Sequence, residues 1–394
     1  MVIDCEVLIA GAGPAGCAAA IRLARAGRRV VLCDRSQFPR DKACGDGLIA
    51  DSIGALTTLG LDRAVADAAY RTSGLLTISP GGTEVRFEST FWVLPRRVLD
   101  HLLFRAAIDA GAIFEQTIVE APIVENGRVV GAEGRRSGTE ARVQFRAPLT
   151  MLATGGAAGV LRKFDPQARS RASGIAIRTY TRPASQTISD LVISLERDLL
   201  PGYAWAFPAP DGLLNVGVGA LHSPTNGDER NLRQRLDLLL AGKGQLGRML
   251  GPQQSATPYQ GAPLRTGLAG AEFGRPGLVI IGEAVGTTYS LSGEGIGKAM
   301  ESGMLAADLA CDAADPALIG PRYGELMRER YAARFKAYDT AQRWIAFPFV
   351  SDYVARRANT SRWVHDRLTR IITEQALPTH VFSARTIWRL MTHA

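Results

Sequence analysis

Three glycines within six residues, Gly11-Ala12-Gly13-Pro14-Ala15-Gly16, stand between the apolar run Val7-Leu8-Ile9 and an Ala-rich stretch from Ala18 through Ala26. Strand, glycine turn and helix in that order commit the amino-terminal part of the chain to a βαβ unit built for a dinucleotide. The first glycine allows the tight turn, the second lets backbone approach a pyrophosphate, and the third lets the helix pack on the strand. The helix N-terminus then faces the phosphates. A second strand, Val30-Val31-Leu32-Cys33-Asp34, ends in an acid about twenty residues beyond the glycines, the spacing for a carboxylate on a ribose hydroxyl. Asp34 also argues against a 2′-phosphate at this site.

Composition narrows the class. The 394 residues are 46% apolar and 21% charged, enough for a large core and for more than one domain. Lys and Arg exceed Asp and Glu by 8, a mild excess with no compact basic run, so no nucleic-acid partner is expected. Cys5, Cys17, Cys33, Cys44 and Cys311 form no CxxC pair and no metal-ligand spacing, which favours a reduced, cytoplasmic protein and no metal site. The apolar amino terminus lacks a basic leader and is broken by the glycines, and no stretch reaches the roughly 18 apolar residues of a membrane span. The expected location is the cytoplasm, with contact to the inner face of the membrane as an alternative.

NAD and FAD share the glycine fingerprint, and later segments decide between them. Residues 278–303 read as a strand ending at Gly282-Glu283, then Gly286, then Ser292-Gly293-Glu294-Gly295-Ile296 opening a helix. Such a turn offers backbone N–H groups to a flavin ring or ribityl chain. Together with the first motif it resembles the FAD-dependent group containing aromatic hydroxylases, flavin-dependent halogenases and geranylgeranyl reductases. Pro95-Arg96-Arg97-Val98-Leu99-Asp100 looks like that group's R-x-x-x-D segment, and Leu152-Ala153-Thr154-Gly155-Gly156 matches the strand end closing the FAD domain. The resemblance implies that Gly11, Gly13, Pro14, Ala15, Gly16, Asp34, Arg35, Arg96, Gly155, Glu283, Gly286, Gly293, Gly295 and Ile296 bind FAD, with Arg96 near the phosphates. Two departures stand out. Glu283 replaces the usual Asp and is one methylene longer, and Ser290 stands where the group commonly has Pro.

Two further segments sharpen the family. Pro39-Arg40-Asp41-Lys42-Ala43-Cys44-Gly45-Asp46-Gly47 resembles the P-x-x-K-x-C-G-x-G signature of the geranylgeranyl reductase family, and Tyr203-Ala204-Trp205-Ala206-Phe207-Pro208 matches its Y-x-W-x-F-P. Lys42, Cys44 and Gly45 therefore join the expected cofactor contacts, and Cys44, Tyr203 and Trp205 the expected catalytic set. Beside Lys42 and a glycine turn, the Cys44 thiol is either acidified or a small group packed against the ring. Tyr203 and Trp205, two apart on a strand, share a face and form either an aromatic wall over substrate or core packing. Lys42 pairs with a phosphate or an acid, or is a solvated loop charge.

The order of these motifs predicts an α/β fold: a discontinuous Rossmann-like FAD-binding domain (1–72, 96–165, 270–335), an inserted antiparallel β-sheet substrate domain (73–95, 166–269) and a C-terminal helical region (336–394). Hairpins are expected around Pro80-Gly81-Gly82 and Asp211-Gly212, and a helix over Glu229–Leu240. The C-terminal helices carry Arg343, Trp344, Phe347, Phe349, Arg356, Arg357, Arg362, Trp363, Trp388 and Arg389, read either as a lid or dock on an anionic membrane or as a helical cap with a solvated basic face.

The family resemblance implies hydride transfer from reduced FAD to an alkene of a polyprenyl or other unsaturated lipophilic substrate. The electrons would come from NAD(P)H in the same cleft or from a separate reductase or ferredoxin. Rival readings are a monooxygenase or halogenase on the same scaffold and a non-catalytic flavin- or lipid-binding protein. Tyr203 and Phe207, where halogenases of the group have Trp and Ile, count against halogenation.

Overall fold

In the computed structural model, residues 1–169, 171–183, 188–221 and 231–378 are described. Trp388, Arg389 and Glu229 lie outside them. Two sheets organise the chain. The first has nine strands in the order Val2–Asp4, Arg142–Arg146, Arg128–Arg136, Ile113–Glu125, Val30–Asp34, Val7–Ala10, Leu149–Leu152, Leu278–Ile280 and Gly274–Arg275. Its central strands are parallel and almost wholly buried, as continuous apolar runs must be when both sheet faces are covered.

Helix Pro14–Arg25 follows the first glycine turn and packs on helix Ile296–Asp312. Small residues permit the approach: a Cβ on Gly303 would lie 2.2 Å from the Ala15 carbonyl oxygen, and one on Gly282 would lie 2.7 Å from the Ala15 Cβ. Segments some 270 residues apart in sequence thus become one packed surface.

The second sheet has eight strands in the order Gln260–Leu264, Gly174–Thr181, Leu213–Leu221, Gly202–Ala209, Leu191–Ser194, Tyr70–Ile78, Glu84–Val93 and Gly47–Leu48. Both expected hairpins form. Asp211 (φ 61°) and Gly212 (φ 68°) take the left-handed turn that matches strand twist. The sheet is not antiparallel throughout. Leu191–Ser194 runs parallel to Tyr70–Ile78, where the strands of two separate insertions meet and no hairpin dictates direction. The predicted helix near residue 230 occupies Leu232–Leu240, with the Asn231 side chain accepting the Gln234 N–H as its cap.

Two expected boundaries are displaced. Gly47–Leu48 lies within the segment given to the FAD domain, yet pairs with the second sheet. The line at 335/336 falls inside one 27-residue helix, Ile319–Ile345, because its buried stripe continues through Phe335 and Tyr338. Helices Pro348–Thr360 and Arg362–Ile372 follow and pack against the 70–93 hairpin, where Val85, Phe87, Ala358 and Val364 make a small core. Ser79 Oγ donates to Asp352 Oδ1 at 2.7 Å. Among the described residues no helix is long and apolar enough to cross a membrane.

Candidate active site

A cavity of about 780 Å³ lies between the two sheets and runs from the first glycine turn to the second sheet and the end of helix Ile319–Ile345. At one end is the glycine turn. Gly11 has φ 115°, and a Cβ there would lie 2.3 Å from the Ala153 carbonyl oxygen; one on Gly16 would lie 1.9 Å from the Gly11 oxygen. Both positions exclude any side chain. Gly13 differs: a Cβ would meet only Arg40 Nη2, at 3.8 Å, so this glycine leaves its backbone open to the cavity instead of filling a packing need. No side chain caps the helix that starts here. Bare backbone, helix N-terminus and a nearby guanidinium are the parts of a pyrophosphate cradle.

Asp34 holds its place through two backbone donors, the Ala12 N–H on Oδ2 and the Ser36 N–H on Oδ1, each at 2.9 Å. Arg35 lines the cavity beside it. Arg96 also lines the cavity, but its fork closes on Asp100 at 2.7 and 2.8 Å, both side chains buried. Asp100 binds Arg40 Nη1 as well, at 2.9 Å. The cation held beside Gly13 is therefore Arg40, with Arg96 and Asp100 as its support.

Further along the wall, Lys42 Nζ meets Glu283 Oε2 at 3.2 Å, and the Arg265 N–H points to Glu283 Oε1 at 3.4 Å. Lys42 thus pairs with an acid, and the extra methylene of Glu283 lets it bridge the strand end to the 39–47 segment. Ser290, in place of the usual Pro, donates to Asp339 Oδ1 at 2.6 Å and ties its loop to helix Ile319–Ile345.

The two family signatures stack on each other. A Cβ on Gly45 would lie 3.1 Å from Phe207 Cε2 and 3.4 Å from Trp205 Nε1. Trp205 Nε1 donates to Asn215 Oδ1 at 3.0 Å, and Asn215 Nδ2 donates to the Cys44 oxygen at 2.9 Å and to Asp46 Oδ2 at 2.7 Å. Asp46, fully buried at φ 67°, also accepts from the Tyr180 hydroxyl and, at 3.2 Å, from the Arg96 N–H. Burial pushes its carboxyl up to about 6, a rise limited by Tyr180 and Asn215.

Comparison with known proteins fits this geometry. A model of the FAD binding domain matches residues 4–168. Menaquinone reductase of Mycolicibacterium smegmatis is 34% identical over 340 residues, covering 77% of this chain and 76% of its own. The digeranylgeranylglycerophospholipid reductase 1 of Methanopyrus kandleri is 26% identical over 349 residues, covering 85% of this chain and 88% of its own. The chain belongs to the geranylgeranyl reductase family of FAD-dependent oxidoreductases. Its fold is shared with a geranylgeranyl bacteriochlorophyll reductase-like protein from Thermoplasma acidophilum (TM-score 0.78, 24% identity, 100% of this chain and 97% of that one). A flavin-dependent brominase also shares it, at TM-score 0.74 and 18% identity over 98% and 97%.

Within this reductase family member, Gly11, Gly13, Pro14, Ala15, Asp34, Arg35, Lys42, Cys44, Gly45, Arg96, Gly155, Tyr203, Trp205, Glu283, Gly293, Gly295 and Ile296 all line the cavity. Gly16 and Gly286 do not. Gly286 is a packing turn at φ 91°, where a Cβ would lie 2.5 Å from the Gly267 oxygen. Of the two readings of Cys44, the packed small group is favoured: burial pushes the thiol up and outweighs the nearby Arg96. Burial also raises Tyr203, whose hydroxyl donates to the Ser292 oxygen, and its ring meets Trp205 edge-on at 6.1 Å. The sequence reading did not single out Arg40, Asp46, Tyr180, Asn215 and Arg178 as site residues. Arg178, 1% exposed, binds Asp41 at 2.7 Å and stacks on Tyr180. Arg40 and Asp46 stood inside a quoted signature, but their roles depend on partners that the sequence does not place beside them.

Proposed function

We propose that this enzyme reduces carbon–carbon double bonds in the prenyl chain of a lipid. Support comes from the continuity of the cavity: beyond the glycine cradle its wall turns apolar, with Leu75, Phe91, Leu191, Ile193 and Leu200. The curated relatives are named for menaquinone and for a digeranylgeranyl phospholipid, two lipids with unlike head groups that share a polyprenyl chain. When bound, reduced FAD supplies a hydride to one alkene carbon, and the neighbouring carbon takes a proton. The protein binds the flavin phosphates at Gly13 and Arg40, orients the ring side through Glu283 and the 290–295 turn, and lays the chain along the aromatic row of Tyr203, Trp205 and Phe207. Electrons reach the flavin from NAD(P)H in the same cleft or from a separate reductase or ferredoxin.

Three substrates test the reading: a geranylgeranyl lipid, menaquinone, and a naphthoquinone with a saturated tail. With reduced holoenzyme, a gain of two hydrogens per reduced bond in the first two and no reaction with the third supports chain reduction. Reaction with both quinones and none with the geranylgeranyl lipid shifts the chemistry to the ring.

The substrate enters from a membrane surface on the cytoplasmic side. Gln342, Ile345 and Ala346 line the cavity, and immediately beyond them Phe347 and Phe349 are 52% and 69% exposed, with Arg343 exposed alongside. Aromatic rings with a cation beside them suit an anionic interface. Phe347→Ser combined with Phe349→Ser is expected to weaken binding to phosphatidylglycerol-containing vesicles by about tenfold or more, given roughly 1.5–3 kcal/mol per fully buried apolar side chain. Co-sedimentation checks it; unchanged binding contradicts it.

A further inference from the structure

Reduction of an alkene consumes a proton as well as a hydride. Most acids on the cavity wall are already engaged by donors or cations. Glu283 is paired with Lys42, and Asp41 with Arg178. Asp34 accepts backbone N–H bonds on both oxygens, and Asp46 accepts from Arg96 on one oxygen and from Asn215 and Tyr180 on the other. The raised thiol of Cys44 and phenol of Tyr203 are weak acids.

Glu294 stands apart. It lines the cavity in the turn before helix Ile296–Asp312, and among the described residues no cation forms an ion pair with it. Two residues before it, the Ser292 carbonyl receives the Tyr203 hydroxyl. Against the opposing charge of Lys298, burial and the charges of Asp51 and Glu374 raise its carboxyl well above the usual range, which favours the protonated acid.

Behind Glu294 is a buried ionic cluster. Asp51 sits against Gly297, where a Cβ would lie 2.3 Å from the Asp51 Cγ. Lys298 Nζ reaches Asp51 at 3.5 Å, Glu301 at 2.7 Å and Glu374 at 3.5 Å, and Arg334 reaches Glu374 at 3.7 Å. Side-chain exposure climbs from 4% at Asp51 through 9% at Glu374 to 25% at Glu301, which gives the cluster a solvent end. Burial and the Glu374 charge push Asp51 up to about 7, where it exchanges protons readily. The other titratable groups facing the cluster are Tyr203, Tyr289, Tyr331 and Tyr338, all raised by burial.

Resting on the reduction reading, we propose that Glu294 is the proton donor to the alkene and that Asp51, Lys298, Glu374 and Glu301 carry the replacement proton from solvent. As the hydride from singly anionic reduced FAD forms a C–H bond at one alkene carbon, the Glu294 O–H bond breaks and its proton goes to the neighbouring carbon. The alkene is reduced, the flavin is oxidised, and Glu294 is left as a carboxylate that the cluster reprotonates. Because only the acid form donates, the wild-type rate falls as pH rises through the Glu294 titration.

The test uses holoenzyme, reduced anaerobically and mixed with a geranylgeranyl lipid. Glu294→Gln is expected to slow single-turnover reduction by about 100-fold or more, the usual weight of a general acid, with FAD content and dithionite reduction unchanged. Its residual rate loses the alkaline fall, and formic acid restores turnover to Glu294→Ala. A Gln variant slowed by less than about tenfold overturns the proposal, as does a wild-type rate that stays flat from neutral to alkaline pH, a readout available even if the variants fail to fold. Wild-type enzyme inert to the lipid overturns the reduction reading and this proposal with it. Wild-type turnover alongside an undiminished Gln variant overturns the proton donor alone.

Discussion

Gly13→Val is expected to give a folded protein that holds no FAD through gel filtration. Gly13 has φ −80° and ψ −173°, a conformation open to any residue, and an added Cβ meets nothing closer than Arg40 Nη2 at 3.8 Å. The fold therefore has room for the branched side chain, while the phosphates do not, because the valine methyls fill the space their close approach to backbone requires. Melting of the apoprotein, compared with wild-type apoprotein, separates lost binding from lost folding. A yellow, fully loaded variant would contradict the cradle.

The second large effect is on stability. Asp100 is fully buried, accepts two hydrogen bonds from Arg96 and forms an ion pair with Arg40. Asp100→Ala strands the buried Arg96 guanidinium without its counter-charge, at a cost of about 3–5 kcal/mol, whereas a surface pair would lose at most about 1. Denaturant unfolding should show this drop. FAD affinity should fall as well, since Arg40 loses the anchor that holds it beside Gly13. A change below about 1 kcal/mol would mean that the carboxylate does not serve as the buried partner of both guanidinium groups.

Local demands were legible in the sequence, and distant partnerships were not. The Gly11 turn and the Asp211-Gly212 hairpin require particular backbone angles from particular residues, so residue type and spacing reveal them. The parallel contact between Leu191–Ser194 and Tyr70–Ile78 has no turn to announce it. Helix Ile319–Ile345 shows the same limit. Its residues are rich in Arg and aromatics from Tyr323 onward, so composition marks no boundary at 335, and its buried face continues through that point.

The candidate site divides in the same way. Glycine positions and the acid at a strand end could be read directly, because each performs a backbone or strand-end task. Lys42 finds Glu283 across 241 residues, and Asn215 finds Asp46 across 169, so neither pairing is written in spacing. Arg96 and Arg40 could not be ranked from sequence, since the choice depends on how Asp100 is shared between them. The Cys44 thiol was ambiguous for a related reason: neighbouring Lys and glycines argue for acidity, and only burial decides against it.

The most direct test of the central claim is transient and anaerobic: flavin absorbance of the reduced holoenzyme after mixing with a geranylgeranyl lipid, with product mass taken from the same samples. Reoxidation of the flavin by the lipid, in step with a gain of two hydrogens per reduced bond, is the predicted result. A flavin that stays reduced in the presence of lipid and reoxidises only when oxygen is admitted would contradict the account.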